Sequence, residues 1–171
     1  MTPTIRLGRL FGIEIGFNWS LAFIFALVAW TLAGGVLPLE VPHQSLPAYW
    51  VTGLTGAALY FGGLLAHELS HALVARRSGM EVAGITLWLF GGVSQLRGDP
   101  RSPGSEALIT VVGPLASLVV GGVMFVLAVL APAAGAPQLA TALLVWLAVL
   151  NVALAVFNLV PAFPLDGGRI L

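Results

Sequence analysis

Residues 61–77 read Phe61-Gly62-Gly63-Leu64-Leu65-Ala66-His67-Glu68-Leu69-Ser70-His71-Ala72-Leu73-Val74-Ala75-Arg76-Arg77. Three ionisable side chains stand inside an apolar run that closes on two arginines. In a soluble domain this would be an unremarkable amphipathic helix, but the rest of the chain excludes that setting. Of 171 residues, 58% are hydrophobic and 8% charged, against about 25% charged in an average globular chain. Mean hydropathy is +1.00. Seven Arg, no Lys and seven acids give a formal net charge of zero. Fourteen charges cannot cover a water-facing surface of this size. There is no basic excess to neutralise phosphates, which excludes nucleic acid as a partner. Disorder needs low hydrophobicity and high charge, and this chain has neither. With no Cys there is no disulfide framework and no thiolate metal site. The partner these residues ask for is the lipid bilayer.

Working outward from the quoted stretch, charge-free runs mark the spans. A crossing helix needs about 20 apolar residues. Residues 17–37 supply one and residues 50–75, which carry the His-Glu-His group, a second. The long run after Glu106 is broken at Pro132-Ala133-Ala134-Gly135-Ala136-Pro137, giving spans at 107–131 and 139–160. The expectation is therefore an all-α polytopic membrane protein with at least four transmembrane helices, in one domain over residues 1–171.

In that arrangement Arg6, Arg9, Arg76, Arg77, Arg97, Arg101 and Arg169 all fall on one side. The loops at 38–49 and 132–138 carry no Lys or Arg, so the N-terminus is expected in the cytoplasm. Trp19 and Trp50 begin spans, as interface anchors do; Trp30 and Trp146 read as lipid-facing or packing residues. The N-terminal apolar stretch is too long for a signal peptide and lacks a cleavage site. Partial alternation over residues 5–15, with Gly8 and Gly12 at turns, predicts a short cytoplasmic hairpin. Residues 81–90 also read as a strand, ending at Gly91-Gly92. Too short to cross as a helix, it is expected as part of a re-entrant hairpin at the membrane edge, its backbone satisfied by protein or water.

Ionisable residues inside a span are costly and count as functional by default. His67 and His71 are four apart, so on a helix their rings share one face and can hold one metal ion. Glu68 lies beside that face. This is the H-E-x-x-H pattern of zinc metalloproteases. The competing readings are two structural histidines bonding carbonyls across helices, or a haem site, which would have no use for Glu68.

A catalytic zinc takes three protein ligands and keeps one open position. His43 falls in the opposite loop, so the third ligand is expected to be a carboxylate on the cytoplasmic side: Glu14, Glu81, Asp99, Glu106 or Asp166. Glu14 and Glu81 flank strands, Asp99 sits in a solvated loop between two arginines, and Glu106 suits a helix N-terminus. Asp166 lies in Pro161-Ala162-Phe163-Pro164-Leu165-Asp166-Gly167-Gly168, where prolines stop the helix and glycines permit close packing. It is the preferred ligand; the alternative is an N-cap of a following helix. Gly113, Ser117 and Gly121 recur every four residues, which suits close helix packing rather than chemistry.

The chain resembles the site-2 protease family of intramembrane zinc metalloproteases. The resemblance is carried by His67-Glu68-Leu69-Ser70-His71, Leu89-Phe90-Gly91-Gly92-Val93, Gly113-Pro114-Leu115-Ala116-Ser117 and the run from Asn158 to Arg169, and it covers nearly the whole chain. It implies one Zn2+ per chain held by His67, His71 and Asp166, with Glu68 as catalytic base and Asn158 helping to stabilise the oxyanion. It implies that the Gly91-Gly92 strand pairs with an unwound substrate, and that the substrate is a membrane protein with a transmembrane helix. The expected setting is a prokaryotic plasma membrane. About thirty residues separate the second and third spans, which leaves no room for the PDZ domain some relatives insert. Relatives continue beyond the point where this sequence stops, at Leu171, often with further spans, and one subgroup adds a cytoplasmic CBS nucleotide-sensing module. The alternative from another class is a non-catalytic membrane scaffold or transporter with a structural metal. The residues leave self-association into a homo-oligomer open.

Overall fold

The structure, a computed structural model, describes residues 5–89, 91–97, 102–162 and 165–169. Two short strands come first, β1 (Ile5–Leu10) and β2 (Ile13–Phe17), paired antiparallel. Their link is the two-residue turn Phe11-Gly12, with φ of 52° and 80°. Positive φ at both positions matches the right-handed twist of a tight hairpin. Gly8 marks a slip in register rather than a turn. Phe17 closes β2, so the first long helix starts later than the apolar run does: α1 covers Ser20–Thr31. It passes through a π-helical stretch, Leu32–Val36, into the single turn α2 (Leu37–Glu40).

Next comes α3 (Leu46–Arg77), 32 residues long. The Ser45 side chain accepts from the Ala48 N–H at its start, and Arg76 and Arg77 occupy its last turn, where cations offset the helix dipole. A hairpin follows, β3 (Glu81–Trp88) with β4 (Gly91–Arg97). Then come α4 (Pro103–Leu130) and α5 (Gln138–Asn158), and a 3-10 turn at Asp166–Arg169. Ser102 and Ser105 cap α4 reciprocally, which satisfies donors a helix start leaves unpaired. Phe90, Asp99, Arg101, Phe163, Pro164 and Leu171 lie outside the described residues.

The sheet runs in the order β1-β2-β3-β4, with β2 and β3 parallel. It thus joins the two hairpins expected separately from the sequence. Ile13, Ile15, Ile85 and Leu87 leave one of its faces and bury against Phe61, Leu64, Leu69 and Ala72 of α3. A second core closes the far end, where Leu32, Leu37 and Tyr49 pack on Leu139, Leu143 and Leu147. Helix α3 is therefore enclosed by α1, α4, α5 and the sheet.

Among the described residues, three helical stretches are long and apolar enough to cross a membrane: Ser20–Glu40, Pro103–Leu130 and Gln138–Asn158. The longer α3 is diluted by its glycines and by His67, Glu68 and His71. Trp19 and Trp30 are exposed, while Trp146 packs edge-on to Tyr60.

Candidate metal centre

Helix α3 places His67 and His71 one turn apart, facing α4, and both are buried. The His71 Nδ1 bonds the backbone carbonyl of Ile109 on α4. The His67 Nδ1 lies 2.9 Å from the Ser117 hydroxyl, two turns further along the same helix. Between them sits Gly113, so close that a Cβ there would stand 2.0 Å from His71 Nε2. Pro114 withdraws an N–H from this turn of α4, which loosens its hydrogen-bond ladder. Ile109, Gly113 and Ser117 thus form one face that grips both rings. Gly121 continues the stripe, packing instead on Ala148 and Val152 of α5. The four-residue period suits helix packing, and its first members, Gly113 and Ser117, also touch the histidines.

Asp166 arrives from the other end of the chain. Beyond α5 the backbone turns through Val160 N–H to Phe157 O and Leu165 N–H to Ala162 O, then enters the 3-10 turn. Gly167 is pressed on the carbonyls of Leu159 and Val160, at 2.5 and 2.6 Å from where its Cβ would be. This close approach folds Asp166 back toward α3. Asp166 Oδ2 lies 3.1 Å from His67 Nε2 and 3.1 Å from His71 Nε2, and the two Nε2 atoms are 3.1 Å apart. Burial pushes the Asp166 carboxyl up, but the hydrogen bonds and charges of His67 and His71 outweigh it and hold the group at about 2.

This triangle fits a metal ion. Tetrahedral zinc with nitrogen and oxygen ligands at about 2.0–2.2 Å separates them by about 3.3–3.6 Å, so the triangle need open by only a few tenths of an ångström. The donor chemistry agrees. His71 Nδ1 faces a carbonyl, so it carries the proton, and a neutral ring then presents a lone pair at Nε2. That lone pair faces a carboxylate oxygen at 3.1 Å. In the metal-free protein a proton bridges such a contact, and a metal ion can take the proton's place. The rings do bond across helices, as structural histidines would, but through Nδ1, which leaves Nε2 for a ligand.

Glu68 lies beside the triangle and accepts a hydrogen bond from Ser94 of β4 at 3.2 Å. Gly92 packs on it. Gly91, at φ 128°, makes the turn into β4. All four line one cavity of about 560 Å³ with His67, His71, Asp166 and Asn158. Asn158 donates one N–H to Leu154 O at 2.9 Å, which leaves its second.

Among the described residues, the other candidate acids stand apart from this group. Glu14 pairs with Arg6 at 2.9 Å, Glu81 starts β3, and Glu106 is in the first turn of α4. Among the described residues, His67, His71 and Asp166 are the set close enough to share an ion.

The family model for peptidase family M50 matches residues 55–141 and 132–171. The chain belongs to peptidase family M50. That is a zinc-metalloprotease family, so the family implies zinc, and His67, His71 and Asp166 form a group that could hold a metal ion. Rip3 of Mycobacterium tuberculosis is 40% identical over 171 residues, all of this chain and 43% of the relative. The protein sll0528 of Synechocystis is 39% identical, over all of this chain and 44% of the relative. Zinc metalloprotease MJ0392 of Methanocaldococcus jannaschii is 34% identical, over 45% of its own length. The M50 chain therefore spans less than half of these relatives. The solved site-2 protease from Methanocaldococcus jannaschii superposes with a TM-score of 0.67 at 30% identity, covering 97% of this chain and 68% of that one. With its three apolar helices, the M50 chain is an integral membrane protein.

Proposed function

We propose that this chain is the catalytic core of an intramembrane metalloendopeptidase that hydrolyses peptide bonds in or near a transmembrane segment of a membrane-tethered substrate. The observation that carries the reading is the 3.1 Å triangle of His67, His71 and Asp166 with Glu68 against it in one cavity. His67, His71 and Asp166 hold zinc, and Ser117 and Ile109 fix the rings.

Bound zinc supplies Lewis acidity, making water nucleophilic near neutral pH and polarising a carbonyl. Glu68 accepts the proton of the attacking water and returns it to the departing amine. Asn158 directs its free N–H at the carbonyl oxygen as that oxygen gains charge, a contribution of about 3 kcal/mol at comparable sites. Helical substrate hides its carbonyls, so it must be extended before attack. β4, the outer strand of the sheet with Gly91 and Gly92 on the cavity, offers an edge for strand addition.

Four elements cross the bilayer in this reading: α1 with its extension, α3, α4 and α5. The arginines set the sheet and the metal centre toward the cytoplasm. His71 precedes Arg76 by five residues, about 7.5 Å of helix, so the centre lies shallow enough for water to enter.

Glu68→Gln tests the reading. In detergent, with a fluorogenic single-span peptide whose helix is loosened by a central Asn-Pro pair, the variant is expected to lose cleavage and keep one zinc per chain. Cleavage at the wild-type rate would overturn the role of Glu68. A wild type that binds zinc and does not cut would favour a scaffold or transporter with a structural metal, and one that binds no zinc would overturn the protease reading.

A further inference from the structure

On β4, Gly92 and Ser94 are two residues apart, so they share one face of the strand. That face meets α3 at Glu68. The Ser94 hydroxyl donates to Glu68 Oε2 at 3.2 Å. At Gly92 a Cβ would stand 2.2 Å from Glu68 Cγ, 2.5 Å from Cδ and 2.9 Å from Oε1. One residue thus holds the carboxylate and the other makes room for it. Gly91 differs: nothing lies within 4 Å of its Cβ position, and its φ of 128° serves the turn. The pair Gly91-Gly92 therefore does two unlike things.

We propose that β4 positions the general base: Ser94 fixes one carboxylate oxygen of Glu68, and the bare Cα of Gly92 keeps its stem in place. The inference rests on reading Glu68 as the base. Its consequence is that the strand offered to substrate is also the strand that aims the proton acceptor. A glutamate side chain has several rotatable bonds, and losing an anchoring hydrogen bond to a charged group spreads it over other rotamers. Ser94 acts through Glu68 and is a positioning residue.

The test uses the full chain with zinc bound and the same Asn-Pro peptide. Ser94→Ala is expected to lower kcat about tenfold, with KM within twofold and zinc affinity unchanged. Ser94→Thr, which keeps the hydroxyl, should restore at least half of kcat. Gly92→Ala should lower kcat further, again with zinc retained. An unchanged kcat in Ser94→Ala would overturn the proposal. So would a raised KM at constant kcat, which would make Ser94 a substrate contact, or a Thr variant as poor as the Ala one, which would make the effect packing. Should Glu68→Gln cut as fast as wild type, or wild type not cut, the base reading itself has failed and this inference falls with it. Should Glu68→Gln be inactive while Ser94→Ala is normal, only this inference falls.

Discussion

Gly113→Ala is the sharpest single-atom perturbation of the metal centre. The added Cβ would stand 2.0 Å from His71 Nε2, 2.6 Å from Cε1 and 2.7 Å from Cδ2, where ordinary contact begins at 3.4 Å. The ligand edge of the ring must therefore retreat by about 1.4 Å, the difference of 3.4 and 2.0. Metal–ligand distances tolerate about 0.2 Å. The ring cannot turn in place, because its Nδ1 is tied to Ile109 on the same helix. Loss of an outer partner of a ligand costs about 10–100-fold in metal affinity, and displacing a ligand should cost more. The metal-free protein should also lose about 1–3 kcal/mol, the usual range for overpacking.

Competition against chelators of graded affinity reads the first effect, and thermal unfolding of the metal-free protein the second. Gly122→Ala, on the same helix with nothing within 4 Å of its Cβ position, is the control. It should bind zinc as wild type does and gain up to about 1 kcal/mol from the better helix former. Wild-type zinc affinity in Gly113→Ala would refute the placement of His71 as a ligand against α4.

Other expectations follow from the same contacts. Ser117→Ala should weaken zinc by about 10–100-fold, since it removes the partner of His67 Nδ1; unchanged affinity in the chelator competition would detach Ser117 from the centre. Gly167→Ala sets a Cβ against two backbone carbonyls that cannot swing aside, so the turn must open and carry Asp166 away. Elemental analysis should find less than one zinc per chain, and full stoichiometry would count against the turn. Asp166 titrates at about 2 rather than 3.8, so its contribution to metal-free stability is complete above about pH 4 and is lost as the pH falls through about 2. Asp166→Asn should flatten this acid limb of the unfolding profile, and an equally deep limb in the variant would refute the pairing with His67 and His71.

The helices and the two-histidine motif were legible because each depends on local spacing. Apolar runs long enough to cross lipid have few other uses, and residues four apart on a helix must share a face. The return of Asp166 to the two histidines was legible through its rigid Pro and Gly surroundings. The parallel pairing of β2 with β3 was not, because Ile15 and Ile85 are opposite each other while 70 residues apart in sequence, and no local pattern encodes that partner. Phe17 belongs to the apolar run by composition, yet its backbone pairs with Ile5 and Leu87, so the run overstated the helix. The π-helical stretch Leu32–Val36 left no sign beyond Gly34-Gly35. Ser117 was visible as a small residue in a packing stripe; its hydrogen bond to His67 depends on how α4 is rotated against α3, which spacing along one helix cannot fix. The division of labour between Gly91 and Gly92 likewise needs the position of Glu68 in three dimensions.

The central claim is that one zinc ion is held by two imidazoles of α3 and a carboxylate from beyond α5. Anomalous diffraction at the zinc edge from crystals of the zinc-loaded chain tests it most directly. The account predicts a single peak about 2 Å from His67 Nε2, His71 Nε2 and Asp166 Oδ2. A peak elsewhere, or one at the histidines with Asp166 turned out of reach, would contradict it.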